Sequence, residues 1–208
     1  SISVNITAGL PIITGVVPSV NNQTWTTVTL SKQFSSMVVV CSPVYDNTSP
    51  PMVVRVKEAI DNSFKLKMDR ADGQSGDISG ITVHYVVVEE GIYNSTDDGI
   101  TMEAVKMLST VTDRRGSWSG QSLSYSNEYV NPVVIGQVMS YNDPEFSVFW
   151  SCGSTRKKPA SSSAIRVGKH VGEDSLKSRN DETIGYIVFE AGSGSIGSLD
   201  YVVGLGAD

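Results

Sequence analysis

Hydrophobic and polar residues alternate along much of the chain with a period of two. The stretches Gln23-Thr-Trp-Thr-Thr-Val-Thr-Leu30 and Phe64-Lys-Leu-Lys-Met-Asp69 are the clearest, and the second puts Phe64, Leu66 and Met68 on one face. Such alternation predicts strands with one face in a core and the other in water. Two segments depart from it. His84-Tyr-Val-Val-Val-Glu-Glu-Gly91 and Gly185-Tyr-Ile-Val-Phe-Glu-Ala-Gly192 run aromatic, then three apolar residues, then glutamate, one more residue and glycine. Unbroken apolar runs of this kind predict central strands covered on both faces. Their recurrence about a hundred residues apart predicts a duplicated chain.

The remaining elements fall around these two strands. In the first half, Met37-Val-Val-Val-Cys-Ser42 and Met52-Val-Val-Arg-Val-Lys57 read as strands, separated by the turn-rich Asp46-Asn-Thr-Ser-Pro-Pro51. In the second half Trp118 answers Trp25, Tyr129 answers Phe34, and Pro132-Val-Val-Ile135 answers Met37 to Val40. Phe146 to Trp150 takes the place of Met52 to Val56, with Trp150 at the position of Val56, and Ala164 to His170 takes that of the Phe64 strand. Roughly six strands fit each half. No segment carries helix caps and an amphipathic period, and Met102 to Leu108 is the one candidate, readable equally as a strand. The expected fold is all-β, two tandem antiparallel β-sandwich repeats. The expected organisation is an N-terminal strand segment over 1–17, a first repeat over 18–112 and a second over 113–208, the boundary lying near Ser109 to Gly116.

Composition agrees with this and removes some functions. Hydrophobic residues make up 39%, enough for a core, while 18% charged is too low for a disordered chain. Sixteen Lys and Arg against 22 Asp and Glu give a net charge of −6, which argues against a nucleic-acid partner. No run approaches the ~18 apolar residues of a membrane span, so no membrane insertion is expected. No basic-then-apolar leader opens the sequence, as expected of a mature or excised form. Four Asn-x-Ser/Thr triplets begin at Asn5, Asn22, Asn47 and Asn94 in stretches that read as loops or strand ends, and they predict an extracellular glycoprotein. Cys41 and Cys152 each sit near the end of an apolar strand, so a disulfide between the halves is expected, with two buried thiols as the alternative.

The stretch Trp25-Thr-Thr-Val-Thr-Leu-Ser-Lys-Gln-Phe34, with Val38-Val-Val40 and the Phe64 and Val83 strands after it, resembles the H-type lectin domain. The resemblance covers the first half and is looser in the second. It implies small six-stranded antiparallel sandwiches that bind sugars, commonly at subunit contacts. The final strand here is His84-Tyr-Val where that family has a Trp-Ile-Ala-like strand, so no sugar-binding residue carries over.

Catalytic groups are sparse. The two histidines differ in setting: His84 opens an apolar strand, whereas His170 lies in Gly168-Lys-His-Val-Gly-Glu-Asp174, a loop with the side chains for acid–base chemistry or an ordinary solvated turn. No Cys/His cluster has zinc spacing, and the Asp-rich turns at Asp69, Asp97 and Asn142-Asp143 lack the spacing of a calcium loop. Neither a metal nor any other cofactor is expected, nor an enzyme. A sugar site needs an aromatic face and fixed polar groups; Trp150, Tyr141, Asn142, Asp143 and Arg156 form the best candidate set. The expected function is a non-catalytic, extracellular carbohydrate-binding module. The alternative is a structural subunit of a glycoprotein fibre or surface layer that assembles with copies of itself. In that case Ser1 to Thr7 would complete a sheet in a neighbouring copy, head to tail.

Overall fold

The computed structural model describes residues 10–72 and 74–206. Sixteen strands appear, with one helical turn: β1 (Ile12–Val20), β2 (Thr26–Thr29), β3 (Met37–Pro43), β4 (Met52–Ile60), β5 (Ser63–Arg70), β6 (Ile81–Glu89), β7 (Gly91–Tyr93), α1 (Ser95–Asp98), β8 (Met102–Ser109), β9 (Thr112–Asp113), β10 (Gln121–Leu123), β11 (Pro132–Val138), β12 (Val148–Cys152), β13 (Ile165–His170), β14 (Glu182–Glu190), β15 (Gly192–Ile196) and β16 (Leu199–Val203). Met102 to Leu108, readable as helix or strand, is β8. The N-terminal Ser1 to Thr7 strand and Asn5 lie outside the described residues.

Among the described residues the strands form four larger sheets and a two-stranded one, β15-β16. Sheet A runs β1-β6-β3, sheet B runs β2-β5-β4, sheet C runs β11-β14-β8-β7 and sheet D runs β10-β13-β12. Counting strands from β1 and, in the second half, as β8 followed by β10 to β14, both halves place first-sixth-third in one sheet and second-fifth-fourth in the other. The two organising strands, β6 and β14, are interior in their sheets. Both faces of β14 are covered, Ile187 and Phe189 on one and Ile184, Tyr186 and Val188 on the other, so its apolar run does not alternate. All the pairings are antiparallel except a two-residue parallel contact of β9 with β13, a departure from the purely antiparallel expectation.

The first core lies between sheets A and B, where Phe64 meets Tyr85 edge to face with ring centroids 5.4 Å apart and Leu66, Met68, Val83 and Val87 are wholly buried. A second core, with Val138, Ile165, Val167, Ile184, Tyr186 and Val188, fills the space between sheets C and D. The opposite face of sheet C, bearing Ile187 and Phe189, joins the first core instead. Gly185 leaves room there for the Sδ of Met139, and Val39 donates its N–H to that sulfur at 3.4 Å. The two halves therefore share apolar packing.

Strands at the two expected boundaries pair over long range. Strand β1 crosses the expected break at 17/18 and pairs with β6, with Ile12 opposite Val88 and Val17 opposite Val83. Strand β8 precedes the expected boundary near Ser109, yet pairs with β14, with Met102 opposite Phe189. Each half thus opens with a strand whose partner lies far along the sequence, a pairing that no local periodicity encodes.

Candidate functional site

Polar and aromatic side chains concentrate where the second half grips β3 and β4 of the first. At the end of β11 the Gln137 amide accepts the Cys41 N–H at 3.3 Å and donates to the Val54 carbonyl at 2.8 Å. Next to it, Arg55 is fully buried on β4. Its guanidinium donates to the Glu145 and Asp143 carbonyls at 2.8 and 3.0 Å, and lies 3.4 Å from the Asp69 carboxylate and 3.7 Å from that of Glu182. Burial pulls the Arg55 pKa down, opposed chiefly by Asp69 and Glu182. Glu182, also fully buried, accepts the Ser140 hydroxyl and the N–H groups of Asn142 and Asp143. The ring of Tyr141 lies under Arg55 at 4.6 Å, stands edge-on to Trp25 at 5.1 Å, and has its hydroxyl 3.3 Å from Lys67 Nζ. Lys57 and Lys67 sit over the Trp25 ring at 4.6 and 5.2 Å.

Three of the five expected sugar-site residues are part of this junction. Tyr141 makes the contacts just described. Asn142 donates from its side chain to the Asp181 carbonyl at 2.8 Å, and the Asp143 carboxylate accepts from the backbone of Glu145 and Asn180 at 3.0 and 2.8 Å. Only the Tyr141 hydroxyl, near Lys67, and the Asp143 carbonyl, which accepts from Arg55, reach across to the first half; the Asn142 and Asp143 side chains bond within the second. Trp150 is elsewhere, 8% exposed on sheet D, edge-on to Trp118 at 5.3 Å. A Cβ on Gly120 would come within 2.8 Å of the Trp150 ring, and one on Gly168 within 3.0 Å, so the indole is packed onto two glycines. Arg156 is exposed in the loop after β12. The five residues do not converge on one surface.

Register explains the position of Trp150. Val56 lies opposite Leu66 on inward-facing positions, whereas Trp150 lies opposite Gly168, beside the inward Val167. By register, Trp150 opposite Gly168 corresponds to Arg55 opposite Lys67 rather than to Val56. A shift of one residue changes the face of the sheet. Gly120, likewise, stands at the register of Trp25, with Trp118 two positions earlier.

Neither cysteine is joined to the other. Cys41, two residues before the end of β3, is half-buried and Cys152, at the end of β12, is buried, both as free thiols. The two cysteines expected to form a disulfide stand apart as free thiols, one buried and one partly so. His170 is buried rather than in a solvated loop: its ring stacks on Trp118 at 4.2 Å and its Nδ1 accepts the Gly172 N–H at 2.8 Å. Among the described residues no group of three His, Cys, Asp or Glu side chains is placed to hold a metal ion, and no helix is long and apolar enough to cross a membrane.

The signal that identifies Arg55 and Gln137 as junction residues is a polar side chain inside an apolar strand pattern: Val-Val-Arg-Val and Val-Ile-Gly-Gln-Val. One further recess, of about 430 Å³, opens on the second half and is lined by Tyr125, Asn127, Glu128, Ser162 and Ser163 among others.

No family model matches the chain, and no solved structure matches it. The chain is 25% identical to halomucin of Haloquadratum walsbyi (strain DSM 16790 / HBSQ001) over 190 residues. That match covers 86% of this chain and 2% of halomucin, so the chain spans a small fraction of that protein's length.

Proposed function

We propose that the chain is a stretch of a tandem array of six-stranded β-sandwich units, with a structural role in an extracellular surface glycoprotein. The observation that carries this is the coincidence of strand order and register between the halves: β1-β6-β3 with β2-β5-β4, then β8-β14-β11 with β10-β13-β12. Two copies of one unit, joined by a junction that uses buried ions and shared apolar packing, are suited to a stiff array rather than to flexibly linked modules. Six strands per unit is also what the H-type lectin resemblance implies. The likeness to 2% of halomucin, a protein named as a mucin, favours a surface location, as do the exposed acceptor asparagines Asn47 and Asn94. The role proposed is non-catalytic.

Small-angle scattering tests it. Chains extended by further copies of the second half should gain a constant increment in maximum dimension while their cross-section stays fixed. A compact particle whose cross-section grows with each copy would count against an array.

A carbohydrate-binding module is the second reading, favoured by the recess at Tyr125, which sets an aromatic edge beside Asn127, Glu128 and two serines. A glycan array probed with the protein and with its Glu128→Ala variant separates the two. Retention that the variant loses supports sugar binding, and no retention leaves the structural role alone.

A further inference from the structure

The hairpin β15–β16 repeats the hairpin β7–β8. Each begins with a glycine two residues after the glutamate of an organising strand, and the two registers coincide: Gly91 lies opposite Ala104, Gly192 opposite Val203. Tyr201 therefore stands where Met102 stands, and, through the pairing with the organising strand, where Ile12 stands in β1. The difference is in the neighbours. Strand β8 has β7 on one edge and β14 on the other, whereas β16 has β15 on one edge and, among the described residues, no strand on the other.

We infer that β16 is the opening strand of a further unit, and that its free edge receives the sixth strand of a following copy of this repeat as β8 receives β14. The inference rests on the tandem-repeat reading. Side-chain direction carries it furthest. Tyr201 and Val203 are partly buried against the shared core, and the Tyr201 hydroxyl donates to the Gly99 carbonyl at 3.3 Å, which fixes β16 against the preceding linker. Val202 points the other way and is 87% exposed. Its equivalents are Glu103, 2% exposed within the second unit, and Ile13, packed on the core of the first. An apolar side chain bare at a position that is covered in both complete units marks a missing core, and an open strand edge beside it marks a missing strand.

The register also defines the chemistry of the occupant. Gly204, the residue after β16, continues the register of Gly15 and Val105, which lie opposite Tyr85 and Tyr186; over Gly15 the Tyr85 ring lies so closely that a Cβ would come 2.3 Å from its hydroxyl. Gly204 leaves the same room. The strand received is antiparallel and of the type Tyr, three apolar residues, Glu, as in Tyr85 to Glu89 and Tyr186 to Glu190.

Two lengthened chains test this. In the first, the whole chain is followed by a second copy of residues 110–208, so that β16 occupies the place of β8. In the second, residues 1–191 are followed by a second copy of residues 91–208, so that the added unit keeps its own hairpin. Hydrogen exchange across Leu199 to Leu205 reads the result. In the first chain, protection there should rise about a hundredfold over the unextended protein, as for a strand paired on both edges. Val202→Asp should abolish that rise and expose the added unit to protease while leaving the unextended protein unchanged. If only the second chain folds its added unit, β16 is not a donor strand and the repeat reading survives. If neither folds it, the repeat reading falls and the inference falls with it. A Val202→Asp variant that keeps its protection, or protection already present in the unextended protein through pairing of two β16 edges, also overturns the inference.

Discussion

The Glu89 carboxylate accepts the Ser36 backbone N–H at 2.5 Å and reaches Ser35 as well, at 2.8 Å. Glu190 holds Asn131 and Val130 in the same way, at 2.8 Å each. The glutamate that ends each organising strand thus ties down the loop that enters the adjacent third strand, and a charged acceptor makes these stronger than neutral hydrogen bonds. Glu89→Gln keeps the size but turns an amide N–H₂ toward a donor. Each of Glu89→Gln and Glu190→Gln is expected to cost about 1–2 kcal/mol, read as a lower urea midpoint with an unchanged slope.

Arg55→Met leaves the Glu182 carboxylate buried and without its cation, together with the carbonyls of Asp143 and Glu145. The expected cost is about 3–5 kcal/mol, because an uncompensated buried charge is worse than none. The loss falls on the junction, so calorimetry should split one transition into two. Adding Glu182→Gln to the same chain should restore much of the stability.

Asp72 is held by the Arg70 guanidinium at 2.7 Å, which lowers its pKa to about 2. A carboxylate depressed in the folded state contributes stability above its unfolded pKa of about 3.9 and loses it as the pH falls toward the folded value. The pair is near the surface, so the effect on overall stability is small. Carbon-detected NMR should place the Asp72 midpoint near 2 and return it to the ordinary carboxylate range in Arg70→Gln.

Burial pushes both thiols above the usual cysteine range, Cys41 the further. Since the thiolate is the reactive form, neither should react with a disulfide reagent at neutral pH in the folded protein. Both should react in guanidinium without prior reduction. A reductant requirement would reveal a disulfide.

Glycan occupancy should follow the freedom of each acceptor amide. Asn47 is exposed in a turn whose bonds are made by Asp46, Thr48 and Ser49. Asn94 caps α1 and donates to Asp97 at 2.8 Å. Asn22 is half-buried, donating to the Gly76 carbonyl at 2.9 Å and accepting from Ile78 at 3.0 Å. Secretion from a eukaryotic host should give occupancy in the order Asn47, Asn94, Asn22, measured by glycopeptide mass spectrometry. Glycan on Asn22 at the level of Asn47 would contradict this order.

Periodicity along the chain determined that it is all-β, that Phe64, Leu66 and Met68 face inward, and that Val83 to Val88 and Ile184 to Phe189 are interior strands. These follow from which residues avoid water two positions apart or in unbroken runs, and that information is local. Tertiary structure decided which strands pair and which faces meet. Strands β1 and β8 belong with partners far along the chain, Ile12 with Val88 and Met102 with Phe189, a choice made by long-range hydrogen bonding that short-range pattern does not contain. It also decided the fate of Tyr141, Asn142 and Asp143. As a sequence they are an aromatic beside two oxygen-bearing side chains, suitable for a sugar; in the fold the buried charges of Arg55 and Glu182 need partners, and these residues supply them.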